Sequence, residues 1–243
     1  MEAAADLPKD PAPPLDERSQ LMPIEPRQRW RLTFARAEDP LRRTHREIVD
    51  AWLAVLVIAD LPLPRSAGRP KGPLTFAAPL PAGIACRAEV ADLLLSERRP
   101  AWWVRERLLP TMPAGTDLVR LDDVWLGAPA LAATIRAAVY AIPLLETAQQ
   151  HGSIGEAAAR FLAAPRLERE RARGSGTVRY DLRPLVDDIL LQPGPPPLLL
   201  IRTLFQQDRG TGRPDEVLAA LADLRGAPIL VGSVVRERLI LDA

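Results

Sequence analysis

The chain has 243 residues, 47% of them hydrophobic, and a formal net charge of +1. That length allows one or two domains, and that apolar share supports a real core, unlike the composition of a disordered chain. The near-zero charge argues against a nucleic-acid binder held by general basicity, and a single cysteine, Cys86, excludes an internal disulfide, a zinc site built from CxxC pairs and a cysteine-ligated cluster.

Residues 1–27 hold six acids against three bases, with many prolines and no apolar period. They are expected to form a disordered leader outside the fold. Trp30, Leu32 and Phe34 alternate with Arg31 and Thr33, which predicts a half-buried strand. Thr44 with Glu47 three residues on predicts a capping box. Ile48, Trp52, Val55, Leu56 and Ala59 then repeat at helical spacing, until Pro62 and Pro64 stop the helix. Leu74–Ala78 and Ile84–Leu95 read as strands. Pro100 opens a second helix through Leu108, and Leu118–Leu126 is a further strand. The order is βαββαβ, the split-βαβ arrangement.

The order recurs in the second half. Ala138–Leu144 reads as a strand and Ile154–Ala163 as a helix. Leu167–Arg173 and Val178–Leu182 flank Gly174–Gly176, a hairpin signal. Leu185–Leu191 either extends the second arm or makes a separate turn. Leu198–Phe205 is a strand, and Pro214, Asp215 and Glu216 mark a helix start. Ile229–Leu241 closes the chain as one or two strands. The fold class expected is α+β, with two tandem ferredoxin-like halves, residues 28–135 and 136–243, and mainly antiparallel sheets. The halves should meet near Pro129–Arg136.

Candidate chemistry is sparse. His45 stands in the first turn of the first helix, where the positive helix end favours its neutral form. Glu47 lies beside it in sequence, so the pair is the candidate acid–base couple if the chain is an enzyme. Arg65, Arg69 and Lys71 share a loop with Gly68 and Gly72, where glycine lets backbone amides approach an anion and arginine offers two parallel hydrogen bonds. Asp181 and Arg183 read as an internal ion pair, with Arg213 as a further structural residue. The tryptophans fall mainly on predicted core faces. Gly174–Gly176 is a turn, because a nucleophile elbow needs GxSxG. The adjacent acids Asp122–Asp123 and Asp187–Asp188 point to opposite faces of a strand and make no dyad. Two histidines and one cysteine supply no metal site, and no cofactor is expected. The longest apolar run, Ala51–Ala59, is short of the ~20 residues that span a bilayer, and no signal peptide is visible, so a cytoplasmic protein with no membrane partner is expected.

Several strings in order resemble the bacterial radical SAM-linked protein family. They are WRLTF, the Thr44–His45 pair with an acid two residues after the histidine, LPLPRSAGRPKGPLTFAAPLPAG and the Glu89–Asp92 spacing. LGAPALAATIRAAVYAI, RYDLRP, RPDEVLAAL and VVRERLIL follow. The likeness covers residues 29–243. Where that family carries an aromatic-containing loop, this chain has Arg65-Ser66-Ala67-Gly68-Arg69-Pro70. The resemblance implies a radical SAM enzyme as partner, a structural part for Glu89, Asp181 and Arg183, and a non-catalytic accessory that presents a substrate, RNA or another anion, through residues 42–71. The competing readings are a degenerate protein–protein interaction module and an enzyme that uses His45.

Overall fold

The alternation around Trp30 does what a half-buried strand should. In the computed structural model, strand β1 (Gln28–Arg36) buries Trp30, Leu32 and Phe34 on one face. The structure describes residues 24–38, 43–65, 72–145, 148–173, 176–206 and 208–242. Helix α1 (His45–Ile58) lays Ile48, Trp52, Val55 and Leu56 onto that face, and the Phe34 and Trp52 rings meet at 4.8 Å. Each such side chain removed from water contributes about 1.5–3 kcal/mol. The other face of β1 is polar: Arg31 holds Asp92 with two bonds, at 2.8 and 3.1 Å.

The first half continues with β2 (Leu74–Phe76), β3 (Ala85–Leu95), α2 (Ala101–Leu108) and β4 (Thr116–Val124). Its strands lie in the order β4-β1-β3-β2, every neighbour antiparallel. A short helix, α3 (Leu131–Thr134), leads directly into β5 (Ile135–Pro143). The second half adds α4 (Ala148–Ala163), a hairpin of β6 (Glu168–Arg173) and β7 (Gly176–Asp181), then β8 (Val186–Gln192) and β9 (Leu198–Gln206). It ends with β10 (Gly210–Thr211), α5 (Pro214–Arg225) and β11 (Val235–Leu241). Here the order is β11-β5-β9-β8, again antiparallel throughout. One parallel contact, β11 beside β3, merges the halves into one mixed sheet. The protein is therefore α+β with a mainly antiparallel sheet.

Three features depart from the sequence reading. The β6–β7 hairpin is a separate two-stranded sheet, and Val186–Gln192 is the strand that pairs with β9. The cause is composition: ERERAR has no apolar face, whereas β8 buries Val186 and Ile189. Of the expected leader, residues 1–23 lie outside the described residues, but the backbone of residues 24–27 is paired. The Ile24 N–H donates to Arg65 at 2.7 Å and the Arg27 N–H to Leu95 at 2.8 Å. Backbone pairing needs no apolar period, so the pattern of side chains carried no trace of it. Finally, Trp102 and Trp125 are 64% and 78% exposed, so only part of the tryptophan set packs the core. Arg99 and Arg107 both lie over the Trp103 ring, at 4.9 and 4.5 Å from its centroid, two cation–π contacts. Among the described residues, no helix is long and apolar enough to cross a membrane.

The start of α1 follows the sequence signal closely. Thr44 Oγ1 accepts from the Glu47 N–H at 3.3 Å, and Glu47 Oε2 accepts from the Thr44 N–H at 2.6 Å. Both bonds satisfy donors that the first helical turn leaves orphaned. Replacing Thr44 by Ala should lower stability by about 1 kcal/mol, seen as a lower urea midpoint with an unchanged slope. No change in midpoint would mean that water replaces the cap at no cost.

Candidate functional site

The junction of the halves is built by a bulge. Phe34 and Arg36 of β1 face Glu89 and Cys86 of β3, so three residues of β3 advance against two of β1. Strand neighbours alternate faces, and the extra residue resets that alternation. Cys86 and Glu89 thereby reach one another, with the thiol donating to Glu89 Oε1 at 3.2 Å. Arg236 stands beside Cys86 in the parallel register of β11 and opposite Tyr140 in its antiparallel register with β5.

Arg236 is wholly buried. Its Nε donates to Glu89 Oε1 at 3.0 Å, and its Nη2 bonds the same oxygen. Its Nη1 donates to the Pro79 carbonyl and its Nη2 to the Ala78 carbonyl, each at 3.3 Å. A buried guanidinium is tolerated only when its charge and its donors are matched in this way.

The electrostatics follow from burial and from that pair. Burial pushes the Cys86 thiol up to about 12, with Glu89 adding to the shift, so the thiol stays protonated. Burial also raises Tyr140, against Arg236, which lowers it. Burial would lower Arg236, but the Glu89 carboxylate outweighs it and the guanidinium ends more basic than usual. His45 is half-buried, its ring edge-on to Phe76 at 5.5 Å. Its pKa is lowered, chiefly by burial, with Arg36 and Arg236 adding and Glu89 opposing. His45 thus belongs to the field of this cluster, although it comes from a helix more than forty residues away in sequence from Cys86.

The other candidates divide. Glu47 is committed to the Thr44 cap and is exposed. Arg65 is exposed and held by backbone pairing with Ile24, while Arg69 and Lys71 lie outside the described residues. Asp181 and Arg183 spend their side chains on backbone. Asp181 accepts from the Leu167 and Arg183 N–H groups at 2.8 and 3.1 Å, and Arg183 donates to the Leu162 and Val186 carbonyls at 3.0 and 2.7 Å. Arg213 pairs with Asp215 on the surface. The sequence reading missed Arg236, Tyr140 and Arg36. Arg236 had one visible cue, a charged residue inside the closing apolar strand, but nothing local told which of Arg236, Glu237 and Arg238 turns inward.

Beside the cluster, where β1 ends, a cleft of ≈ 300 Å³ opens between α1 and the loop before β4. Ile48, Ala51 and Trp52 give it an apolar lining, and Arg36, Glu38 and Arg43 give it charge. Among the described residues no cluster of His, Cys, Asp and Glu could hold a metal ion.

Fold and site together define a mixed α+β protein with a charged seam and an arginine-bearing cleft. The chain belongs to the family described as "Uncharacterized protein conserved in bacteria (DUF2344)", whose pattern matches residues 29–214. No curated protein matches it. Among solved structures it is similar to a chain of the "Crystal Structure of a Cbf5-Nop10-Gar1 Complex", at TM-score 0.40 and 12% identity. That alignment covers 85% of this chain and 48% of the other, so this chain spans about half of its neighbour's length. The likeness is too distant to bear on function.

Two outcomes test the cluster. Arg236→Met alone should cost about 3–5 kcal/mol, because it strands Glu89, whereas the double change Glu89→Leu with Arg236→Met should recover most of that loss. A double variant as unstable as the single one would show that the pair itself, not its unpaired charge, holds the fold. The lowered pKa of His45 also sets a sign. The unfolded chain takes up this proton at the ordinary 6.5, before the folded chain does. Stability is therefore fully present above that pH and is lost as pH falls through it. His45→Gln should remove this loss of stability as pH falls below 6.5, as read by urea midpoints; an unchanged profile would mean that the imidazole takes up its proton equally in the folded and unfolded chain.

Proposed function

We propose that this chain is a non-catalytic binding protein that holds an anionic substrate, RNA first among the classes considered, for a radical SAM enzyme. The partner rests on the resemblance of the strings around Thr44–His45 and the 62–83 segment to the radical SAM-linked family. A cytoplasmic setting goes with that reading. So does the reading of each half as a ferredoxin-like unit, which the two identical neighbour orders support.

The observation that carries the binding reading is the cleft beside the seam. It combines Arg36 and Arg43 with an apolar floor that includes Trp52. Arginine gives planar two-point contact to phosphate or carboxylate. The chemistry beside it supports holding over reacting. The thiol is protonated, the carboxylate of Glu89 is bound by Arg236, and the phenol is raised. A nucleophile or base needs the opposite: a lowered thiol, or a carboxylate free to take a proton. Among the described residues, His45, whose pKa is lowered by burial, is a base within that field, and it sustains the second reading, an enzyme.

Binding of a single-stranded RNA oligonucleotide, measured by fluorescence anisotropy across roughly 50–200 mM salt, tests this. The expected result is affinity that falls with salt, with a slope about two contacts smaller in the Arg36→Gln, Arg43→Gln double variant. The radical SAM enzyme should co-purify with the wild-type chain. Salt-independent binding, or the same slope in the double variant, would contradict the RNA reading. A turnover activity lost only in His45→Ala would replace it with the enzyme reading.

A further inference from the structure

A second cleft, distinct from the one lined by Arg36 and Arg43, lies where the two halves meet. Its volume is ≈ 540 Å³, inside the ~300–1,000 Å³ range of small-molecule sites, which favour the junctions between domains. Pro79, Leu80 and Pro81 line it from the first half. Tyr140, Phe205 and the Gly210–Gly212 turn line it from the second. Tyr140, buried and opposite Arg236 in the β5–β11 register, forms part of its floor.

Five of the twelve lining residues carry rings: Pro79, Pro81, Pro214, Tyr140 and Phe205. Such surfaces favour a flat apolar body. The glycine turn adds bare backbone. A Cβ on Gly212 would lie 2.5 Å from the Leu185 carbonyl oxygen, and Gly210 holds φ at +93°. Both positions therefore need glycine, and an occupant meets main chain there, not side chain.

Two arginines line the cleft, and they are not equivalent. Arg171 gives two bonds to Glu216, at 2.7 and 2.6 Å, and lies over the Tyr180 ring. Its charge is spent on that carboxylate. Arg213 also gives two bonds to a carboxylate, that of Asp215, at 3.1 and 2.9 Å, but here the two side chains are 45% and 60% exposed. Solvent and salt screen an exposed pair far more than a half-buried one, so an anion entering the cleft competes with Asp215 for Arg213.

We infer that the junction cleft binds a small planar aromatic molecule carrying one anionic group. The ring system lies against Pro79, Pro81 and Phe205, and the anion is taken by Arg213. Because the occupant touches both halves, its binding raises the thermal midpoint of the whole chain.

The test is calorimetric titration of the full chain with 1-naphthoate, with its uncharged amide 1-naphthamide, and with adenosine 5′-monophosphate. The expected result is one naphthoate site, with the amide weaker by about tenfold, the cost of a lost charge-assisted bond. Arg213→Gln, at an exposed position, should bring naphthoate down to the level of the amide without moving the thermal midpoint of the unliganded protein. Arg36→Gln, in the other cleft, should change nothing. Displacement of naphthoate by adenosine 5′-monophosphate would assign the anion to a nucleotide; its failure to displace would assign it to an aromatic carboxylate. No saturable binding of any probe, equal naphthoate affinity in Arg213→Gln, or loss of binding in Arg36→Gln would each overturn the inference.

Discussion

The bond between Glu89 and Arg236 is the constraint that sets how the two halves are joined. Parallel pairing between β3 and β11 covers two positions, Val235 with Ala85 and Arg236 with Cys86. Two rungs of a ladder are a thin seam for two halves, and Arg236 thickens it. Its guanidinium reaches Glu89, Pro79 and Ala78, all in the first half, while its own strand is paired along most of its length with β5 of the second. A buried ion pair of this kind adds little net stability over an apolar pair of equal volume. Its effect here is positional: it selects one register of β11 against β3. Apolar packing then supplies the adhesion. Ala77, Ala78 and Val90 from the first half share one cluster with Leu131, Ile135, Ala138 and Leu239.

That arrangement shapes what the neighbouring surface can do. A carboxylate, a thiol, a phenol and a guanidinium are gathered in one place, a set that elsewhere serves catalysis. Here each is turned toward its neighbours. The bulge in β3 brings Cys86 to Glu89, which keeps the thiol protonated, and Glu89 is held in turn by Arg236. The cluster reaches the junction cleft through Tyr140, and Cys86 pairs across the β1–β3 ladder with Arg36, which lines the other cleft. A fixed polar core of this kind suits recognition, where preorganisation lowers the cost of binding.

Local signals in the sequence were legible where they were local in physics. The Thr44–Glu47 capping box, the Trp30–Phe34 alternation and the Pro214 helix start all appear within a residue or two of the expected place. Each is decided by neighbours within one turn or one strand. The β6–β7 hairpin was visible as a turn, but its independence from the main sheet goes with the charged composition of ERERAR, which the turn signal does not report. The candidate site was legible only in part. His45 stood out as a rare residue at a helix start. Arg236 did not, because its meeting with Glu89 requires contacts across 147 residues of chain, and Tyr140 is brought opposite Arg236 by tertiary register alone. Two opposite charges near in sequence, Asp181 and Arg183, suggested each other as partners, while the fold turns both toward main chain.

The claim that one seam makes the two halves a single cooperative unit is open to a direct measurement. All five tryptophans lie between residues 30 and 125, so their emission reports the first half alone, whereas far-UV circular dichroism reports both. Urea unfolding followed by the two signals on one sample should give superimposable transitions with one midpoint, as two-state unfolding requires. Tryptophan emission that changes at a different urea concentration from the dichroism would show two independently folding halves, and would contradict the account.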